Sequence, residues 1–129
     1  MRGVADQIVV SGLARTIVYA VREGGEMPAK AFYDSLSDTD KTKVLALFKR
    51  MADHGQIHNR RRFKKLRGST YEFKCGQIRV ACFQEGRNWV LASGIRKKTD
   101  KWKPSDIAKA EAIREEHLSR KEKQGRKRR

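Results

Sequence analysis

The chain has 129 residues, with 31 Lys and Arg against 15 Asp and Glu, and a formal net charge of +16. That length suits one domain around one core and excludes two ordinary globular units; the charge exceeds what solubility requires and points to a polyanionic partner, nucleic acid before an anionic membrane. No apolar run approaches the ~20 residues of a spanning helix, and the stretch before Ala14, interrupted by Asp6, makes no secretory leader, so a cytoplasmic protein without membrane contact is expected.

Residues 16–21, TIVYAV, are β-branched and aromatic and lead to Gly24 and Gly25, which predicts a first strand. Pro28 suits the first turn of a short helix reaching Leu36, with Ala31, Phe32 and Leu36 inward. Ser37, with Asp40 three residues on, resembles an N-capping box and opens the strongest helical pattern in the chain. Val44, Leu47, Phe48 and Met51 keep the helical period, Leu45 and Ala52 widen the stripe, and Gly55 is a C-terminal stop. Residues 60–67, RRRFKKLR, read as a basic linker in which Phe63 and Leu66 are the only apolar anchors. Residues 71–75, 78–83 and 89–95 predict three antiparallel strands, joined by a tight turn at Gly76 and a looser one around Gly86 and Asn88. Pro104 opens a last helix to about Leu118, which docks one face on the sheet through Ile107, Ala110, Ile113 and Leu118. Residues 119–129, SRKEKQGRKRR, are too charged to pack and read as a disordered tail behind a single domain spanning 1–118.

Metal and cofactor signatures are missing from this pattern. Cys75 and Cys82 match no zinc spacing and read as buried thiols, and His54, His58 and His117 form no ligand set. Gly24 and Gly25 precede Glu26 and Met27 rather than a lysine-bearing phosphate loop, so neither metal nor cofactor is expected.

The hairpin around Gly76 can be argued from parity, because side chains alternate faces along a strand. A two-residue loop, Cys75-Gly76 or Gly76-Gln77, puts Tyr71 and Phe73 on one face with Ile78 and Val80, and Glu72, Lys74 and Arg79 on the other. A three-residue loop would set Phe73 beside Arg79, burying a charge or exposing a ring. Carried into the next strand, the same parity groups Trp89, Leu91 and Ile95 on the apolar face, and Val90, Ala92, Gly94 and Arg96 with Arg79 and Ala81. The expected result is an open face on which Ala81, Ala92 and Gly94 leave room for a phosphodiester and Lys74, Arg79 and Arg96 supply charged donors. Lys64, Lys65 and Arg67 arrive just before this face and Arg96, Lys97 and Lys98 leave just after it, while Arg60, Arg61 and Arg62 add to an RNA-contacting surface. A bland reading stands beside this one, in which Glu72 and Arg79 form an exposed cross-strand pair worth about 0.2–1 kcal/mol.

The segments KKLRGSTYEFKCGQIRVACF (64–83) and WVLASGIRKKTDKW (89–102), followed by DIAKAEA, resemble in their order the RelE/HigB-like toxins of type II toxin-antitoxin modules, in particular the phage-derived HigB-like branch of the RelE superfamily. The resemblance runs from about Phe32 to Leu118. It implies an α+β, microbial-ribonuclease-type fold: a twisted antiparallel sheet of about four strands, two N-terminal helices packed on one face, and a C-terminal helix. It further implies a ribosome-dependent mRNA endonuclease, or mRNA interferase, that enters the A site, needs no metal, and cleaves by 2′-hydroxyl attack on the adjacent phosphate. The implied partners are mRNA, ribosomal RNA and a cognate antitoxin that carries a helix-turn-helix or is acidic. Arg79 matches the family's strand arginine and would stabilise the phosphorane; losing such a donor costs about 3–4 kcal/mol of transition-state stabilisation. Lys74 and Arg96 match cationic positions, the general base is either Glu72 or Lys74, and Trp102 stands where some members place a His or Tyr, to stack on a base or pack the core. The alternative is a non-catalytic RNA- or ribosome-binding module on the same scaffold.

Overall fold

The computed structural model describes residues 7–97 and 101–127, with side chains as far as Gln124. In chain order the elements are β1 (Ile8–Ser11), β2 (Thr16–Tyr19), α1 (Pro28–Asp34), α2 (Asp38–His54), β3 (Phe63–Arg67), β4 (Thr70–Cys75), β5 (Ile78–Glu85), β6 (Asn88–Arg96) and α3 (Pro104–Lys127). The strands form one six-stranded sheet in the order β1-β2-β6-β5-β4-β3. The α+β class is as expected, but the sheet has six strands rather than about four, and it is mixed: β2 runs parallel to β6 while the other neighbours are antiparallel. A parallel pair needs a long connection, and here α1, α2 and the β3–β5 meander supply it.

The two additional strands are the sheet's edges. β1 is only IVVS, with a register shift after Ile8. β3 is FKKLR, within the stretch read as a basic linker. An edge strand pairs on one side only, and lysines there discourage a second chain from adding to it, so a strand can carry this composition without an alternating pattern.

α2 forms as its sequence dictates. The Ser37 side chain accepts from the Asp40 backbone N–H at 3.2 Å, and Gly55 closes the helix with φ +80. Its apolar stripe, Val44, Leu47, Phe48 and Met51, packs with Ile17, Tyr19, Phe73, Val80 and Leu91 of the sheet, and Phe48 meets Phe73 edge-on at 5.0 Å. In α1 the inward alanine is Ala29, not Ala31, which is exposed; Leu36 is buried as expected.

α3 covers the other face. Ala110, Ile113 and Trp102 cluster there with Val18, Ala20, Ala81, Phe83, Val90 and Ala92, so the space expected for a phosphodiester beside Ala81 and Ala92 is filled by helix. The helix also runs past Leu118 to Lys127, into residues read from sequence as a disordered tail. Glu116 pairs with Arg22, Lys121 with Glu85 at 3.1 Å, and Lys123 with Glu23 at 3.2 Å. Such surface pairs contribute about 0–1 kcal/mol each; they tie down a stretch that has no apolar stripe for a hydropathy argument to find.

Candidate functional site at the hairpin end of the sheet

The β4–β5 hairpin turns through Gly76 and Gln77, since Cys75 pairs with Ile78 and Lys74 with Arg79. Gly76 has φ +60, a left-handed conformation that favours glycine. This register sets Glu72, Lys74 and Arg79 on the α3 face and Phe73, Val80 and Ile78 on the α1/α2 face, as the parity argument required.

The parity fails one strand later. Ala81 pairs with Ser93 but Cys82 with Leu91, so β6 carries an extra residue opposite that step. A bulge of this kind reverses the faces of everything beyond it. Ile95 therefore lies opposite Arg79 and joins the α3-face cluster, whereas Gly94 lies under the Phe32 ring of α1 and Arg96 pairs with Ile78 on the α1/α2 face. The expected grouping of Arg96 with Arg79 and Lys74 is overturned, and so is the openness of the face: Arg79 is 5 % exposed and Glu72 0 %.

On the α3 face, Glu72 is the centre of a closed polar cluster. Its Oε1 accepts from Trp102 Nε1 at 3.1 Å and lies 3.5 Å from Arg79 Nε. Its Oε2 lies 4.0 Å from Lys64 Nζ and takes no hydrogen bond among the described residues. Arg79 Nη1 donates to the carbonyls of Gly76 and of Ile78, the latter at 3.1 Å, so the guanidinium pins the hairpin turn. Trp102 is buried over this cluster, so of the two roles open to it on sequence this conformation has the packed one. A buried ion pair of this kind gains little net stability, but removing one partner strands the other charge at about 3–5 kcal/mol.

On the α1/α2 face, an open groove of about 750 Å³ lies between α2, the hairpin turn and the end of β6. Asp40 and Lys43 of α2, Arg62, Gly76, Gln77 and Arg96 line it. Arg96 Nη2 donates to Asp40 Oδ2 at 2.9 Å, and this bond, before any other influence, holds the Asp40 carboxyl below its ordinary range. Arg62 is fixed through its backbone, whose carbonyl accepts from Lys74 N at 2.8 Å, while its side chain is exposed.

The remaining cations are spread more widely, from the loop before β3 to the far end of that strand and the segment after β6. Arg60 and Arg61 are exposed in the loop before β3, and Lys65 is exposed on β3 itself. Arg67 pairs with Glu111 of α3. Lys97 donates through its backbone to the Gln77 carbonyl at 2.7 Å and through Nζ to the Lys101 carbonyl. Lys98 lies outside the described residues. Sequence reasoning missed Lys43, whose spacing from Asp40 and Ala46 marks a helix row outside the apolar stripe; nothing in the sequence says that this row faces the hairpin.

Three other chemical groups have structural roles. Burial, and then the Glu72 carboxylate, push the Cys82 thiol well above its usual range, while Cys75 is half-buried in the groove wall and both thiols are free. His117 accepts from Val21 N at 3.0 Å, and its Nε2 lies 3.4 Å from Glu85; burial lowers its pKa despite that carboxylate. Among the described residues no group of His, Cys, Asp and Glu is arranged to hold a metal ion, and no helix is long and apolar enough to cross a membrane.

Fold and site together define a small basic α+β protein whose hairpin end gathers cations from three parts of the chain around a groove. The family model described as "Phage derived protein Gp49-like (DUF891)" matches residues 31–115, and the chain belongs to that family, one of RelE/Gp49-type toxins. The match takes in α2, the hairpin turn and the end of β6, which wall the groove, and the rest of the β3–β6 meander. No curated protein matches the chain.

Proposed function

We propose that this chain is an RNA-directed toxin of the HigB-like branch, acting on messenger RNA at the ribosome and neutralised by a cognate antitoxin. One observation carries the reading: cations from α2, the pre-β3 loop and the end of β6 meet in an open groove at one end of the sheet. Family membership supports it, since Gp49-like proteins are associated with RelE-type toxin nuclease activity and a toxin implies an antitoxin.

The action on the message has two forms. In the cutting form, Glu72 takes the 2′-hydroxyl proton, the 2′-oxygen bonds to the adjacent phosphorus, and Arg79 with Lys74 and Lys64 neutralises the phosphorane. The bond from phosphorus to the 5′-oxygen then breaks, and that oxygen takes a proton from water, giving a 2′,3′-cyclic phosphate and a 5′-hydroxyl end, while Glu72 returns its proton to solvent. This form requires Trp102 to leave Glu72, because both Glu72 and Arg79 are closed to solvent here. That closure specifically favours the second form, in which the chain binds RNA or the ribosome without cutting.

Mapping 5′ ends of a message under translation separates the forms, with Lys74→Ala and Arg79→Lys as variants. Cutting predicts new ends with the wild type, fewer with either variant, and retained ribosome association in all three. Ribosome association without new ends supports binding alone; neither ends nor association overturns the proposal.

A further inference from the structure

We infer that the groove on the α1/α2 face, on the opposite side of the sheet from Glu72 and Arg79, is a binding site for the phosphodiester backbone of single-stranded RNA. The inference rests on the RNA-directed reading but not on cleavage.

The groove differs from a solvated charged surface in three ways. Its cations come from three separate parts of the chain, α2, the loop before β3 and the end of β6, so the fold gathers them; no single basic run does. Three cations face one carboxylate, which leaves the lining cationic, and its volume of about 750 Å³ falls in the ~300–1,000 Å³ range of sites that enclose small molecules or a few linked groups. Its floor at the hairpin turn is also open among the described residues: Gly76 has no side chain, and none of them lies within 4 Å of where a Cβ would stand. A strand lying in the groove can therefore pass over the turn toward Lys74 on the other face.

Asp40 has a defined part in this arrangement. Its carboxylate holds Arg96 at 2.9 Å across the mouth of the groove, with the Arg96 side chain still 53 % exposed. The pair aims the guanidinium and at the same time opposes an incoming phosphate. Removing the carboxylate therefore strengthens RNA binding, an outcome that a merely structural ion pair does not produce.

The test is fluorescence anisotropy of a fluorescein-labelled oligouridylate with the full chain across a KCl series. Lys43→Gln with Arg62→Gln, both exposed and so without consequence for folding, is expected to weaken binding by about tenfold or more. It should also flatten the plot of log affinity against log salt by about 1.4, from roughly 0.7 per phosphate contact on a single strand. Asp40→Asn is expected to tighten binding roughly fivefold. Charge-matched controls outside the groove, Lys49→Gln with Lys109→Gln and Asp34→Asn, should change affinity by no more than about twofold. Controls that act as strongly as the groove variants, or groove variants that leave affinity and slope unchanged, overturn the site. In that event new ends in a translated message would still uphold the toxin reading, so the two failures are distinguishable.

Discussion

Gly94→Ala tests the β6 bulge, the feature that decides which cations share a face. A Cβ added to Gly94 would stand 2.5 Å from Phe32 Cγ and 2.6 Å from Phe32 Cε2, roughly 1 Å or more inside ordinary carbon contact. Phe32 lies on α1, whose backbone packs closely on β6, so the ring must leave its rotamer or the helix must shift. Overpacking of this kind costs about 1–3 kcal/mol. Urea denaturation should show a lower midpoint with an unchanged slope, and the thermal midpoint should fall by roughly 4 °C per kcal/mol. In a Phe32→Ala background the same substitution should be nearly neutral, giving a coupling of about 1 kcal/mol or more in the double-mutant cycle. Under simple alternation Gly94 shares the face of Arg79 and never meets Phe32. An effect within ±0.5 kcal/mol, the usual range of surface changes, with no coupling to Phe32, would refute the bulge and with it the placement of Arg96 in the groove.

Three further outcomes follow from the buried groups. Trp102→Phe keeps the ring packing but withdraws the donor from Glu72 Oε1, and should cost about 1–3 kcal/mol by urea titration; a neutral result would mean that the indole N–H does not bond the carboxylate. His117 has a folded-state pKa lowered by burial, so its contribution to stability is present in full above about pH 6.5 and is lost as pH falls below that value, by up to about 1.4 kcal/mol per unit. Comparing urea midpoints at pH 7.5 and 5.5 for wild type and His117→Asn should therefore show the larger drop in the wild type. Of the two thiols, native protein should expose only Cys75 to Ellman's reagent, with Cys82 reacting on unfolding; two fast thiols would contradict the burial of Cys82 in the core between the sheet and α2.

Local chemistry made part of this fold legible in the sequence. α2 follows from Ser37, its apolar period and Gly55, and the hairpin from the parity of Phe73 and Val80 about Gly76. What escaped was non-local. β1 and β3 are edge strands too short or too charged to show a period, and α3 is held beyond Leu118 by ion pairs with distant partners. The site failed at one residue: alternation placed Arg79, Lys74 and Glu72 together correctly, but no feature of WVLASGIR announces the extra residue that sends Arg96 to the other side. The small residues Ala81 and Ala92, read as room for a phosphate, are equally what a close-packed helix requires, and α3 occupies that room. Trp102 was open between stacking and packing on sequence, and its bond to Glu72 shows the packed arrangement.

The most direct measurement is amino-acid incorporation in a cell-free extract programmed with one message. Added wild-type chain should halt synthesis, and Lys43→Gln with Arg62→Gln should need about tenfold more protein or greater to do the same. Undiminished synthesis with the message intact, at concentrations that saturate oligouridylate binding, would contradict an RNA-directed toxin.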